Sequence, residues 1–308
     1  MSIPNRQTTE DVAAGIRKRV FLHTMRNNGG YLSQACSAAD SLALLYNEIL
    51  KLGEPTLPKV PLPFAGVPSA RNPDAFAGAG YHGPFTPEYD RFIISPAHYA
   101  LVIYSALIQV GRMDESALDH FNRDGGSVEM IGAEHSPGME VTTGSLAQGL
   151  SMASGLAWAR KRNGEPGRVW VYMSDGEFQE GQTWETLAAL SYHRIDNIRV
   201  IADVNGQQCD GAMSSVLDLG DLPGRVSAFG ATTRSVDGHD LEALRAAADS
   251  AEPGKPLVIL AYTSPFQGMP YLQKRFPRLH YVRFKSRDER EEMKLALAAG
   301  LGVDPAAI

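Results

Sequence analysis

MSDGEFQEGQTWE, residues 173–185, is a turn between two regular elements. The apolar run RVWVYM (168–173) leads into it, and an amphipathic stretch from Thr183 to Tyr192 follows. The run has strand length and strand composition, and the stretch after it has helical spacing. Thirty residues on the pattern repeats: IRVIADV (198–204) is strand-like and ends in the polar turn NGQQCDG (205–211). Asp175 thus closes one strand and Asn205 the next. A strand–helix–strand crossover of that length places the two strand ends side by side in a parallel sheet.

Outward from this unit the chain keeps alternating. DRFIIS (90–95) reads as a strand, AHYALVIYSALIQVG (97–111) as a helix and SLAQGLSMASGLAWARKR (145–162) as a small-residue helix. ATTRSV (231–236) and PLVILAYT (256–263) are strands around a helix at DLEALRAAADS (240–250). The expected fold is α/β, a doubly wound, mainly parallel sheet flanked by helices. Ahead of it, residues 9–27 and 37–51 read as amphipathic helices, the second with Ser37 as its N-cap. Eight of the nineteen prolines fall in residues 52–88, so that segment is expected to be an irregular loop. Its aromatics, Phe64, Phe76, Tyr81 and Phe85, imply that it packs on the body of the protein.

The 308 residues suffice for one large domain with a sizeable core. A net charge of -6 gives no footing for a nucleic-acid or basic membrane-surface role. The two cysteines, Cys36 and Cys209, have no metal-ligand spacing and suit a reducing, cytoplasmic setting. No leader peptide and no membrane-spanning run is expected.

In doubly wound sheets ligands bind beyond the carboxyl ends of the strands, where Asp175 and Asn205 lie. A carboxylate and an amide oxygen converging there make a hard-cation site with room for phosphate oxygens, the coordination magnesium favours. TTGSLAQG (142–149) is a small-residue turn opening a helix, a place where exposed amides favour anions. It is neither a Walker sequence nor GxGxxG. By itself it also suits a tight packing turn, as Asp175 by itself suits a helix cap.

Taken together, SDGEFQEGQTWE and DNIRVIADVNGQQCDG resemble the thiamine-diphosphate signature in its transketolase version, GDGELQEG followed about thirty residues later by Asn. DRFIISPAHYALVIYSAL is similar to that family's DRFVLSKGHAALALYA, PGMEVTTGSLAQGLSMASGLAWA to its PGVEVSTGSLGQGLSIAVGMA, and VDGHDLEAL to a helix entry further on. The likeness covers about residues 10–265. It implies that Asp175 and Asn205 ligate a divalent cation, Mg2+ or another such as Ca2+, with Gln207 adding its backbone carbonyl. That cation would bridge the diphosphate of thiamine diphosphate. Gly176 and Glu177 would lie along the diphosphate, Gly144, Ser145 and Leu146 on a cofactor-contacting turn, and His98 at the diphosphate end. Glu180 would stand at a subunit interface, facing the glutamate of a partnering pyrimidine domain. The cofactor acts as an electron sink for breaking the bond next to a carbonyl.

The resemblance further implies that residues 1–308 are one diphosphate-binding domain, with 264–308 a C-terminal extension. A second subunit would supply the pyrimidine-binding and C-terminal domains, in an α2β2 heterotetramer; a truncated piece of a longer enzyme is the alternative. The family's early histidine falls at Tyr31, in NGGYLSQACSAAD. His135, in GAEHSPG, stands near but out of register with another family histidine, and His280, in FPRLHYVRF, is a candidate for a late catalytic one. The expected activity is transfer of a two-carbon ketol unit from a ketose donor to an acceptor. The alternative is acyl transfer from a 2-oxo acid to a lipoyl or carrier-protein arm, as in a 2-oxo acid dehydrogenase.

Overall fold

Apolar runs without strict alternation bury both faces of their strands, and here they form one parallel sheet. A computed structural model describes residues 7–67, 69–73 and 75–308. Its main strands are β1 (Arg91–Ile94), β2 (Val169–Ser174), β3 (Ile198–Val204), β4 (Thr232–Asp237) and β5 (Leu257–Tyr262), all parallel, in the order β1-β2-β3-β5-β4. Seven helices of the described residues matter to the layers: α1 (Thr9–Arg26), α2 (Leu32–Leu44), α3 (Ala100–Gln109), α4 (Gln148–Arg162), α5 (Gly181–Tyr192), α6 (Leu241–Ala248) and α7 (Arg287–Ala298).

The two-residue period of β2 divides the core. Trp170 and Tyr172 face the layer built by α1, α2 and α3, with Leu244 of α6 in the same cluster. Val169, Val171 and Met173 face the opposite layer, where Leu150 and Ala153 of α4 meet Leu187 and Leu190 of α5. Small residues on α4 let it lie close: Gly149 approaches Ser95 so tightly that a Cβ there would come within 2.6 Å of the serine side chain.

α1 begins where the sequence places it, with Thr8 and Asp11 forming a reciprocal cap. α2 does not. It starts at Leu32, so Ser37 lies inside the helix and caps nothing. Its hydroxyl instead donates to Asp203 Oδ2 at 2.6 Å, a long-range partner that local patterning cannot supply.

The described residues of 52–88 are largely irregular, with a short helical turn at Gly78–His82. Tyr81 is buried, but Phe64 and Phe85 are exposed. The anchor is polar: His82 Nδ1 and Arg91 Nε each lie 2.7 Å from the buried Glu140 carboxylate, tying the segment to β1. Residues 264–308 are integral to the first layer, where Met269, Leu272, Leu279, Met293 and Leu297 join the α1 core. Val282–Arg283 also pairs antiparallel with Gly29–Gly30. That approach needs glycine, since a Cβ on Gly29 would sit 2.9 Å from the Val282 carbonyl oxygen. Among the described residues no helix is long and apolar enough to cross a membrane.

Candidate functional site

β2 and β3 run side by side with Ser174 opposite Asp203, so the turns that leave them emerge together. Asp175, 2 % exposed, opens the first turn. Its Oδ1 accepts from the Gly176 amide at 2.9 Å and its Oδ2 from the Gly206 amide, in the second turn, at 2.7 Å. Asn205 Oδ1 accepts from the next amide, Gln207, at 2.9 Å. Two oxygen donors from adjacent strand ends therefore sit on consecutive amides of one turn.

Burial, together with the nearby Asp203 carboxylate, pushes the Asp175 carboxyl up to about 8. No arginine or lysine pairs with it among the described residues. Asp203 is fully buried and is likewise raised, chiefly by burial. It collects hydroxyls from three elements: Ser37 of α2 at 2.6 Å, Tyr99 at 2.7 Å, and Thr263 after β5. It also accepts from Asn205 Nδ2 at 3.1 Å. Sequence reading passed over Asp203, Ser37 in this role, and Tyr99. The one available signal was an aspartate inside the otherwise apolar run VIADV.

A cavity of about 140 Å³ lies above these turns, lined by Ser33, Gln34, His98, Leu146, Gly176, Asn205, Gln207 and His280 among others. Leu146 reaches it, while Gly144 and Ser145 on the same turn are exposed. Ala147, next along, takes a left-handed backbone (φ 67°) as α4 begins at Gln148, three residues later than the pattern indicates. The Glu177 side chain departs from expectation. It is 0 % exposed and points into the protein, accepting from Ser95 Oγ, the Ala147 amide at 2.8 Å and the Ser174 amide at 2.8 Å. It knots three segments around the site, and only its backbone is left to follow a ligand.

On one side of the cavity Tyr31, His98 and His280 gather from three distant stretches. Ring centroids are 5.3 Å apart for Tyr31–His98, 5.5 Å for Tyr31–His280 and 4.8 Å for His98–His280. Burial and the neighbouring His280 bring His98 down to about 3, and burial lowers His280 also. Both are neutral imidazoles near pH 7, suited to single hydrogen bonds rather than to a charge on a phosphate. His135 is elsewhere: its ring lies against Phe64 at 4.2 Å, with Nε2 3.2 Å from a Glu129 carboxylate oxygen. Glu180, the N-cap of α5, is exposed, and its carboxylate has no hydrogen bond or ion pair among the described residues. No cluster of three His, Cys, Asp or Glu side chains that could hold a metal occurs among the described residues.

The sheet topology and the paired turns define a thiamine-diphosphate-binding domain. A family model described as the thiamine diphosphate binding domain of transketolase matches residues 76–280, and this chain belongs to the transketolase family. It is 32% identical over 289 residues to the transketolase family protein y4mO of Sinorhizobium fredii, covering 90% of this chain and 92% of that protein. One of the apulose-4-phosphate transketolase subunits of Actinobacillus succinogenes is 32% identical over 68% of this chain and 75% of its own length. The crystal structure of transketolase from Campylobacter jejuni superposes with a TM-score of 0.75, at 22% identity, over 98% of this chain and 44% of that one. The chain spans about two fifths of the length of the longer transketolases it matches.

Proposed function

We propose that this chain is the diphosphate-binding subunit of a transketolase-like transferase, acting with a second polypeptide to move a two-carbon ketol unit from a ketose to an acceptor. The observation that carries this reading is the convergence of Asp175 and Asn205. A buried carboxylate raised to about 8, with no cationic side chain beside it among the described residues, fits a divalent cation that would compensate its charge. Few protein ligands, and no cluster of three His, Cys, Asp or Glu among the described residues, fit a cation that takes its other oxygens from phosphate and water.

Asp175, Asn205 and the Gln207 carbonyl would hold Mg2+ or a similar ion, and Gly176, the Glu177 backbone and the turn at Gly144, Ser145 and Leu146 would receive the diphosphate of thiamine diphosphate. When bound, that cofactor supplies an electron sink for cleaving a bond beside a carbonyl. This chain's residues position and shield. Asp203 fixes the Asn205 amide so that its oxygen faces the site. His98 and His280, both neutral, offer hydrogen bonds to a substrate's oxygens. Glu180 presents a carboxylate to the partner, where two carboxylates close together would share a proton.

The relatives named as transketolase subunits support a split enzyme, for which α2β2 is the proposed assembly, and favour a sugar acceptor over a carrier-protein arm. Two free cysteines, one exposed, support a reducing cytoplasmic setting.

The test is reconstitution with a second subunit carrying the pyrimidine-binding half, using thiamine diphosphate, Mg2+, a ketose donor and an aldehyde acceptor. The expected result is transfer by the mixture and none by the chain alone. Robust turnover by the chain alone would overturn the two-subunit reading. A mixture that releases no two-carbon unit from any ketose would overturn the ketol-transfer reading.

A further inference from the structure

A second cavity, of about 380 Å³, lies on the far side of Tyr31, apart from the first. Its walls include His23 and Asn27 at the end of α1, Asn122, Tyr31, Tyr281 and Arg283. Tyr31 is the partition between the two cavities. Its ring meets His98 and His280, which line the first, and Tyr281, which lines the second, at 5.0 Å and nearly perpendicular. The pairing of Gly29–Gly30 with Val282–Arg283 fixes that wall, because it places Arg283 directly opposite Gly29.

We propose that this cavity is a subsite for an oxyanion, phosphate or carboxylate, at the end of a substrate that reaches past Tyr31 from the first cavity. Arg283 is the charged group on its wall. The guanidinium lies 5.5 Å from the centre of the Tyr281 ring and donates to no acceptor among the described residues, although the backbone carbonyl of the same residue accepts from Arg275. A guanidinium held over an aromatic face keeps its outward N–H groups free for a planar or tetrahedral oxyanion. His23 is 7 % exposed, and its Nε2 is buried without a hydrogen-bond partner among the described residues. Burial and the nearby Arg26 bring its ring down to about 4, so it is a neutral polar group in the wall. The His23 ring thus stands in the wall as a neutral reporter of what enters the cavity, with Nε2 turned away from solvent. Asn122 adds an amide group for the hydroxyls of a sugar chain, and Asn27, whose Nδ2 donates to the His23 carbonyl at 2.9 Å, adds its side-chain oxygen. Among the described residues no carboxylate lines the cavity to repel an anion.

The assignment of this anion to the substrate rests on the proposed ketol transfer; the binding site itself does not. All the lining residues belong to this chain, so binding is measured on the full chain without turnover. Glycerol 3-phosphate, D-glycerate and uncharged glycerol are titrated while the His23 imidazole signals are followed by NMR. The expected result is a saturable shift with one or both anions, none with glycerol, and affinity at least tenfold weaker in Arg283→Gln. The anion that saturates at lower concentration identifies the group, phosphate or carboxylate. No saturable shift, or one equal in Arg283→Gln, overturns the subsite. In the reconstituted enzyme, Arg283→Gln should raise KM for an aldehyde that carries the identified anion, phosphate or carboxylate, at least tenfold relative to KM for glycolaldehyde. An unchanged ratio overturns the link to substrate, whereas an enzyme inactive on every ketose overturns the proposed function and leaves the binding result standing.

Discussion

Asn205 Nδ2 donates to Asp203 Oδ2 across 3.1 Å, two residues away on the same strand end, and this bond decides which way the amide faces. With its nitrogen turned to Asp203, the Asn205 oxygen faces the Gln207 amide, next in the turn to the Gly206 amide that Asp175 accepts from. Asp203 is itself fixed by Ser37, Tyr99 and Thr263, so the orientation is set by α2, the segment before α3 and the end of β5 at once.

Replacing Asp203 should therefore weaken the proposed cation site without touching a proposed ligand. In Asp203→Asn, one amide nitrogen competes with Asn205 Nδ2, and the Asn205 side chain loses its fixed sense. The expected outcome is a loss of about tenfold or more in affinity for thiamine diphosphate with Mg2+, of the kind seen when groups supporting metal ligands are altered, measured by calorimetry. Asp203→Ala, which orphans several buried hydroxyls, should cost about 3 kcal/mol or more of stability in urea unfolding.

Asp175→Asn separates binding from folding. It removes the charge the cation needs but keeps the shape and an oxygen for one turn amide. Cofactor affinity in Mg2+ should fall below detection, while the melting temperature of the cofactor-free chain does not drop, because a raised buried carboxylate is no source of stability at neutral pH. Unchanged affinity would mean that the cation is held elsewhere.

Glu180→Gln addresses the proposed partner surface. The side chain is exposed and unpartnered among the described residues, so thermal unfolding of the chain should shift by less than about 0.5 kcal/mol. Transfer by the assembled enzyme should fall by about a hundredfold or more, in the range of general acid–base contributions. Equal loss of stability and activity would make Glu180 a structural cap.

His23 gives a pH signature. Its folded value, about 4, lies below the ordinary 6.5, so the neutral ring's contribution is fully present above about 6.5. It is lost as pH falls toward 4, because the unfolded chain takes up the proton first. Each pH unit in that window is worth at most about 1.4 kcal/mol. Between pH 7 and pH 4.5, His23→Gln should lose less stability than the parent chain in urea titrations; parallel slopes would show that the ring is not held neutral.

The sheet was legible because strand runs and helical stretches alternate at crossover spacing, and Asp175 and Asn205 were legible because each closes such a run. What was not legible depends on distant partners. Ser37 looks like a cap until Asp203, 166 residues away, claims its hydroxyl. Glu177 sits in a signature that points to the ligand, yet its carboxylate is drawn inward by amides from its own turn and from Ala147. Tyr31 and His280 each stood alone in sequence. Only the antiparallel pair at Gly29–Gly30 brings them to His98.

Tyr31 is where substrate choice should be read. By resemblance a histidine stands there in transketolases, able to exchange a proton near neutral pH, whereas burial and the nearby Tyr281 and Cys209 raise the Tyr31 hydroxyl above its already high ordinary value. It stays protonated, and its hydroxyl can donate a hydrogen bond from a ring held among three others. Its contacts with His98, His280 and Tyr281 make it a wall as well as a donor. Tyr31→Phe keeps the wall and removes the donor; Tyr31→His shortens the wall and restores a titratable group. On xylulose 5-phosphate plus ribose 5-phosphate, the reconstituted parent enzyme should be slow. Tyr31→Phe should lower kcat/KM for the enzyme's own preferred pair by about tenfold, the loss of one hydrogen bond to a substrate oxygen. Tyr31→His should shift the ratio of the two pairs toward the ordinary sugar phosphates. Efficient sugar-phosphate transfer that survives Tyr31→Phe unchanged would show that the tyrosine has no part in selection.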